Sequence, residues 1–222
     1  MGNSLKGVYY KGIFFDFGGN AQDTSDVFQT PQESAVIETA MNYILKLEDG
    51  YLKLSKDLGK TWTSLANTYG TITHAHFFGD GTLMFCTPQK VYWTKDLVTV
   101  TESAVYDYDG TAWPGDEQSH FFVQQKFSTV EVIDGVEIYY WGDYMLYGSA
   151  YLWYTVDNGR TIKTAFKPGY TPVGDSYVYF RHAHQFIYNK YDGKFYVITG
   201  DTGAQSCLLR GAYDAGNDAW TW

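Results

Sequence analysis

An all-β fold is predicted for this chain by three features of its 222 residues: aromatic residues at 19%, 23 glycines beside only five prolines, and a turn of the form Ser/Thr-x-Asp-x-Gly-x-Thr that recurs along the length. Aromatic side chains fit the pleated, half-buried faces of strands, and glycine supplies the positive φ of the tight turns between them. A chain of this length can bury one sizeable core, and a single domain over residues 1–222 is expected.

The turn is clearest in "SKDLGKTW", Ser55 to Trp62, and "TVDNGRTI", Thr155 to Ile162, repeats it in full. Two weaker copies follow the same frame: "TKDLVTV" (Thr94 to Val100), which lacks the glycine, and "AYDAGNDAW" (Ala212 to Trp220), which carries one extra residue. Their aspartates, Asp57, Asp96, Asp157 and Asp214, are 39, 61 and 57 residues apart, a period of blade size. Apolar runs flank every copy, so each reads as a hairpin in which the carboxylate accepts backbone N–H bonds and the glycine takes the left-handed φ.

The elements follow from this frame. "VYYKGIFFDF" reads as an innermost strand or the remnant of an earlier blade, and "AMNYILKL", "YLKLS" and "TWTSL" complete a first blade over about 8–70. Residues 71–106 divide into "THAHFF", "TLMFCT", "KVYWT" and "VTVTESAV". Residues 117–168 divide the same way, with "QSHFFV" innermost and "EIYYWGD" second, and residues 178–222 begin with "RHAHQFIY" and "KFYVITGD" and end on "AWTW". Asp134-Gly135 and Asp192-Gly193 supply tight turns between first and second strands. The predicted architecture is a β-propeller of four-stranded antiparallel blades with about four blades present, a small propeller or a portion of a larger one. Its open edges, with Trp220 and Trp222 on the flank, predict a homo-oligomer.

Charge narrows the partners. A net charge of −9 and a pI near 4.9 leave no basic surface for a phosphate backbone, so nucleic acid is excluded. The N-terminus lacks an apolar h-region, Lys6 occupies the position where a myristoylation motif wants serine or threonine, and no run reaches the length of a membrane span. The sequence reads as soluble, without membrane insertion, and leaves a removed signal peptide open. Cys86 and Cys207 sit in apolar runs and read as buried free thiols.

All five histidines fall in the three expected innermost strands. Aligning "THAHFF", "QSHFFV" and "RHAHQF" sets His76, His120 and His184 at one position and His74, Gln118 and His182 two residues earlier. Side chains two apart on a strand share a side, so if that side is the central channel, six polar groups converge there. Asp143 and Asp201 open the loops between second and third strands and join the same rim. Imidazoles in this pattern can ligate a divalent metal, with His74, His76, His120, His182 and His184 as ligands, or act as general acid and base. They can equally be channel residues holding ordered water.

The repeated turn resembles the Asp-box of the sialidase-like, or BNR-repeat, β-propellers, over most of the chain from about Ala35. The resemblance implies that the four aspartates are structural, on the face opposite the active site. Sialidase chemistry in that family uses three arginines, a Tyr–Glu pair, an aspartate acid and an "RIP" signature. This chain has no such triplet and only Arg160, Arg181 and Arg210, of which Arg181 alone is placed to meet an anionic sugar. A weaker similarity, to propeller polysaccharide lyases, implies His76, His120, His184, Arg181 and Tyr144 as the catalytic set, with Tyr140 or Tyr147 as further phenols. It also implies Trp113, Asp143, Asp201 and Gln118 as substrate-binding, Trp141 as either a second stacking ring or blade core, and a cofactor that is a divalent ion such as zinc, manganese or calcium. The function expected is a carbohydrate-active propeller, lyase or glycosidase, acting on or binding an anionic polysaccharide. The alternative is a non-catalytic BNR-repeat binding or scaffold module. Either is expected to be secreted, periplasmic or on the cell surface.

Overall fold

The computed structural model of the protein describes residues 7–10, 13–16, 34–40, 43–48, 51–65, 69–115, 120–121, 128–145, 148–200 and 205–222. A hairpin, β1 (Gly7–Tyr10) with β2 (Ile13–Asp16), precedes four sheets built in chain order. Blade 1 is β3 (Ser34–Ala40), β4 (Tyr43–Glu48), β5 (Tyr51–Ser55) and β6 (Thr63–Ser64). Blade 2 is β7 (His74–Phe77), β8 (Leu83–Cys86), β9 (Val91–Thr94) and β10 (Thr101–Glu102). Blade 3 holds β11 (Ala104–Tyr106) beside β12 (Ser128–Ile133), β13 (Val136–Gly142), β14 (Leu152–Thr155) and β15 (Thr161–Phe166). After the short hairpin β16 (Pro172–Val173) and β17 (Ser176–Tyr177), blade 4 is β18 (Ala183–Asn189), β19 (Lys194–Thr199), β20 (Leu208–Asp214) and β21 (Ala219–Thr221). The fold is an all-β propeller of four successive blades, and the described residues contain no α-helix, so none is long and apolar enough to cross a membrane.

Period-two alternation builds the core in layers. On β8, Leu83 and Phe85 pack toward blade 1 while Met84 and Cys86 pack toward blade 3. On β13, Tyr139 and Trp141 face blade 2, and Ile138 and Tyr140 face blade 4. Both faces of an inner blade are therefore buried, which is why its strands read as nearly continuous apolar runs. Trp141 and Trp153 are fully buried between blades 2 and 3, so Trp141 belongs to the core. Burial pushes the Cys86 thiol up, while Cys207 is only half-buried, with its sulfur 3.0 Å from Thr199 Oγ1.

All four repeated turns join third and fourth strands. At Asp57 the carboxylate accepts the Thr61 N–H at 2.8 Å and the Thr61 hydroxyl at 2.6 Å, while Ser55 Oγ accepts the Gly59 N–H at 2.7 Å. The copy at Asp157 repeats the Thr161 bond at 2.8 Å. Leu58 and Gly59, like Asn158 and Gly159, both take positive φ. Where the glycine is missing, only Leu97 does, and Asp96 accepts instead from Val98 and Thr99, two residues and one residue earlier in the turn. Replacing Asp157 by alanine is expected to cost about 1–2 kcal/mol, read as a lower denaturation midpoint at unchanged slope. An unchanged midpoint would remove the turn's structural role. The carboxyls of Asp57 and Asp96 are held down at about 2, chiefly by the hydroxyl of Thr61 in the first and the N–H of Val98 in the second. Their contribution to stability is therefore present above the ordinary aspartate pKa and lost as the pH falls toward 2.

Three sequence expectations are corrected. The innermost strand of blade 3 is Ser128–Ile133, not "QSHFFV", because the two-residue Asp134-Gly135 turn pairs Ile133 with Val136 and continues to Ser128 with Trp141. "VTVTESAV" is not one outer strand. Only Thr101–Glu102 pairs with β9, and Ala104–Tyr106 crosses to run parallel to β15 of the next blade. Trp220 and Trp222 do not flank an open edge: both pack against the core between blades 3 and 4, and Trp222 Nε1 donates to the Ala165 carbonyl at 2.9 Å. The exposed large hydrophobic side chains of blade 4 include Ile187, Tyr191, Ile198 and Leu208.

Candidate functional site

The candidate site lies on the rim where second strands end and inner strands begin. Gly142 closes β13, and a Cβ there would stand 2.3 Å from the Ala183 Cβ. Its absence lets Asp143-Tyr144 lie directly beside His182-Ala183: the Ala183 N–H donates to the Asp143 carbonyl at 2.9 Å, and Tyr144 forms an antiparallel bridge with His182. One dipeptide thus joins two groups of polar side chains across the gap between blades 3 and 4.

The first group centres on Asp143, whose side chain is fully buried. Oδ2 is 2.8 Å from His120 Nδ1 and accepts the Tyr151 N–H at 2.9 Å, and Oδ1 accepts the Trp153 indole N–H at 2.8 Å. Burial raises its carboxyl from an ordinary value near 3.8 to about 6, against the opposing pull of His120 and the two N–H donors. His120 itself is buried in a turn, its ring 4.8 Å from that of Tyr151 and edge-on to Trp113 at 5.3 Å. Trp113 is half-buried, wedged edge-on against Phe121 and Trp153 as well, so it packs the dyad and does not form an open stacking platform.

The second group is Tyr144, Arg181, His182 and His184. Tyr144 and His182 stack face to face at 4.1 Å with 1° between planes, and His184 stands edge-on to both rings at 5.7 Å. His184 sits at a register shift between Ala183 and Gln185 and donates from Nε2 to the Gly200 carbonyl at 2.7 Å. Arg181 is half-buried, with its Nε–H on Gln205 Oε1 at 3.2 Å.

His74 and His76 form a separate pair. They share a side of β7, as alternation requires, but that side is the packed gap toward blade 3. His74 Nε2 is hydrogen-bonded to the Tyr139 hydroxyl, and the His76 ring stacks on Tyr139 at 4.4 Å. His120 departs from the alignment for another reason, since it precedes its blade's inner strand and lies in a turn. Among the described residues no group of three or more His, Cys, Asp or Glu side chains is gathered to hold a metal, so the expected divalent ion finds no ligand set there. Gln118, Tyr147 and Asp201 lie outside the described residues. Tyr139 and Tyr151 are partners the sequence reading missed.

The blades define the class of protein as a β-propeller of antiparallel sheets. No family model matches the chain, and no curated protein matches it. Among solved structures it is similar to YCF48 bound to D1 peptide, at 12% identity over 83% of this chain and 50% of that one with a TM-score of 0.46. It is similar also to Trypanosoma rangeli sialidase in complex with 2,3-difluorosialic acid, at 13% over 76% and 26% with a TM-score of 0.41. A third is the RS223 β-xylosidase, at 12% over 85% and 72% with a TM-score of 0.40. The chain spans half the length of the first and about a quarter of the second. With every score below 0.5 these likenesses carry nothing about activity, and the propeller assignment stands on the blades themselves.

Proposed function

We propose that this propeller is a carbohydrate-binding module that takes an anionic polysaccharide at the rim between blades 3 and 4. The observation that carries the reading is the Tyr144–His182 stack, which sets a phenol, the His184 imidazole and the Arg181 guanidinium on one rim. Arg181 supplies the cation for a sugar carboxylate, and its bond to Gln205 fixes the plane in which it meets one. Tyr144, half-buried, offers a hydroxyl and a ring edge to the sugar. His120 and Asp143 are buried together and support the rim from beneath.

Binding is tested by affinity electrophoresis in gels containing polygalacturonate, alginate or ulvan. The wild type should be retarded in at least one, and Arg181→Ala should weaken that retention about tenfold or more, in line with loss of a charge-assisted contact. Equal retention of the variant would sink the reading. A second reading, β-elimination with His184 as base and Tyr144 as acid, is favoured by their edge-on placement at 5.7 Å. It requires the ultraviolet absorbance of unsaturated uronate products to appear with the wild type and to vanish in Tyr144→Phe.

A further inference from the structure

We propose that the groove between the outer strands of blades 3 and 4 is a second carbohydrate site, and that it takes a neutral oligosaccharide. The groove encloses about 740 Å³, within the range of ligand-binding clefts, roughly 300–1,000 Å³. It is distinct from the rim: its lining includes Tyr106 and Tyr108, carried by the segment that leaves blade 2 to join β15, and Trp220, carried by β21. Tyr108 is 43% exposed, so a ring is presented to solvent at the groove.

The polar groups of the groove are paired. Lys163 is salt-bridged to Asp218, and Asp218 also accepts the hydroxyls of Tyr154 and Tyr213 at 3.0 and 2.7 Å. Asp107 is paired with Lys167 at 2.6 Å, beneath the rings of Tyr108 and Tyr170. The carboxylate of Asp157 is turned inward to its own hairpin by Thr155 and Thr161. Both lysines at the groove are held in ion pairs, so no uncompensated cation is left for a polyanion, and the one carboxylate without an ion pair, Asp157, is occupied by its own hairpin. Adjacent donors and acceptors instead match sugar hydroxyls, each of which donates and accepts, while aromatic rings take the apolar face of a pyranose. The crossing of Ala104–Tyr106 onto β15 therefore has a use beyond joining blades, since it delivers Tyr106 and Tyr108 to the groove.

The test is calorimetric titration of the intact protein with cellohexaose, xylohexaose and mannohexaose, with hexalysine and hexagalacturonate as charged comparisons. At least one neutral hexasaccharide should bind, and Tyr108→Ala and Lys163→Gln should each weaken it about tenfold. Arg181→Ala should leave it unchanged, which separates this site from the rim. Thermal melts of both groove variants establish that they are folded. The proposal is overturned by silence with all three neutral sugars, by binding of hexalysine or hexagalacturonate alone, by full affinity in folded Tyr108→Ala and Lys163→Gln, or by loss in Arg181→Ala.

Discussion

Asp143→Ala is expected to destabilise the protein by about 3–5 kcal/mol, since it strips the shared acceptor from three buried partners and each orphaned buried group costs about 1–3 kcal/mol. The substitution leaves the Tyr151 N–H, the Trp153 indole N–H and His120 Nδ1 without their shared acceptor, in a place water does not reach. For a domain of this size the melting temperature should fall by roughly 10 °C or more. Asp143→Asn should cost less, about 1–3 kcal/mol. Its amide keeps one acceptor oxygen, but its NH₂ must face either the indole donor or the Tyr151 donor, so one buried N–H is orphaned in either orientation.

The two variants also differ from wild type in pH dependence. Because burial raises the Asp143 pKa, the folded state holds a proton that the unfolded state has released between about 4 and 6. Wild-type stability therefore falls through this group as pH rises across that window and is level with respect to it above. Both variants lack the group and should lose that part of the slope. A melting temperature for Asp143→Ala within about 2 °C of wild type, or an unchanged slope in both variants, would show that the dyad is not the buried pair described.

Gly142→Ala carries the second large effect. The new methyl would overlap the Ala183 Cβ, which is fixed to its backbone and cannot yield, and would press on Leu152 Cδ2 at 3.1 Å. Blades 3 and 4 would have to part at the rim, at a cost of about 2–4 kcal/mol from overpacking and from the bonds of Asp143 and Tyr144 to the neighbouring strand. The Tyr144–His182 stack depends on that approach, so retention in an anionic polysaccharide gel should weaken together with stability. Full retention at wild-type stability would mean that the close approach positions nothing.

Much of the architecture was legible because its signals are local. The Asp157 turn needs a carboxylate, a glycine and a threonine at set offsets, and those offsets recur at blade spacing in the sequence alone. The extra strand of blade 3 was not legible, since "VTVTESAV" is one β-rich run and nothing in it marks Ser103 as the point where the chain changes sheets. The candidate site was half legible. His182 and His184 stand at the start of their inner strand beside Asp143 and Tyr144, as the sequence order suggests, whereas His74 and His76 turn into the gap toward blade 3 and His120 lies in a turn.

What the sequence by itself determined is the all-β class, the four blades and the structural aspartates of the turns, because each follows from composition, period or turn chemistry within a few residues. What only the tertiary structure decided is the direction the histidine side chains face. Alternation states that His74 and His76 share a side of their strand, yet a blade buries both of its sides, and only the packing of blade 3 against blade 2 turns that pair onto Tyr139. In the same way the stack of Tyr144 on His182 depends on a glycine at 142 letting two strands from different blades approach, a distance that no periodicity within either strand encodes.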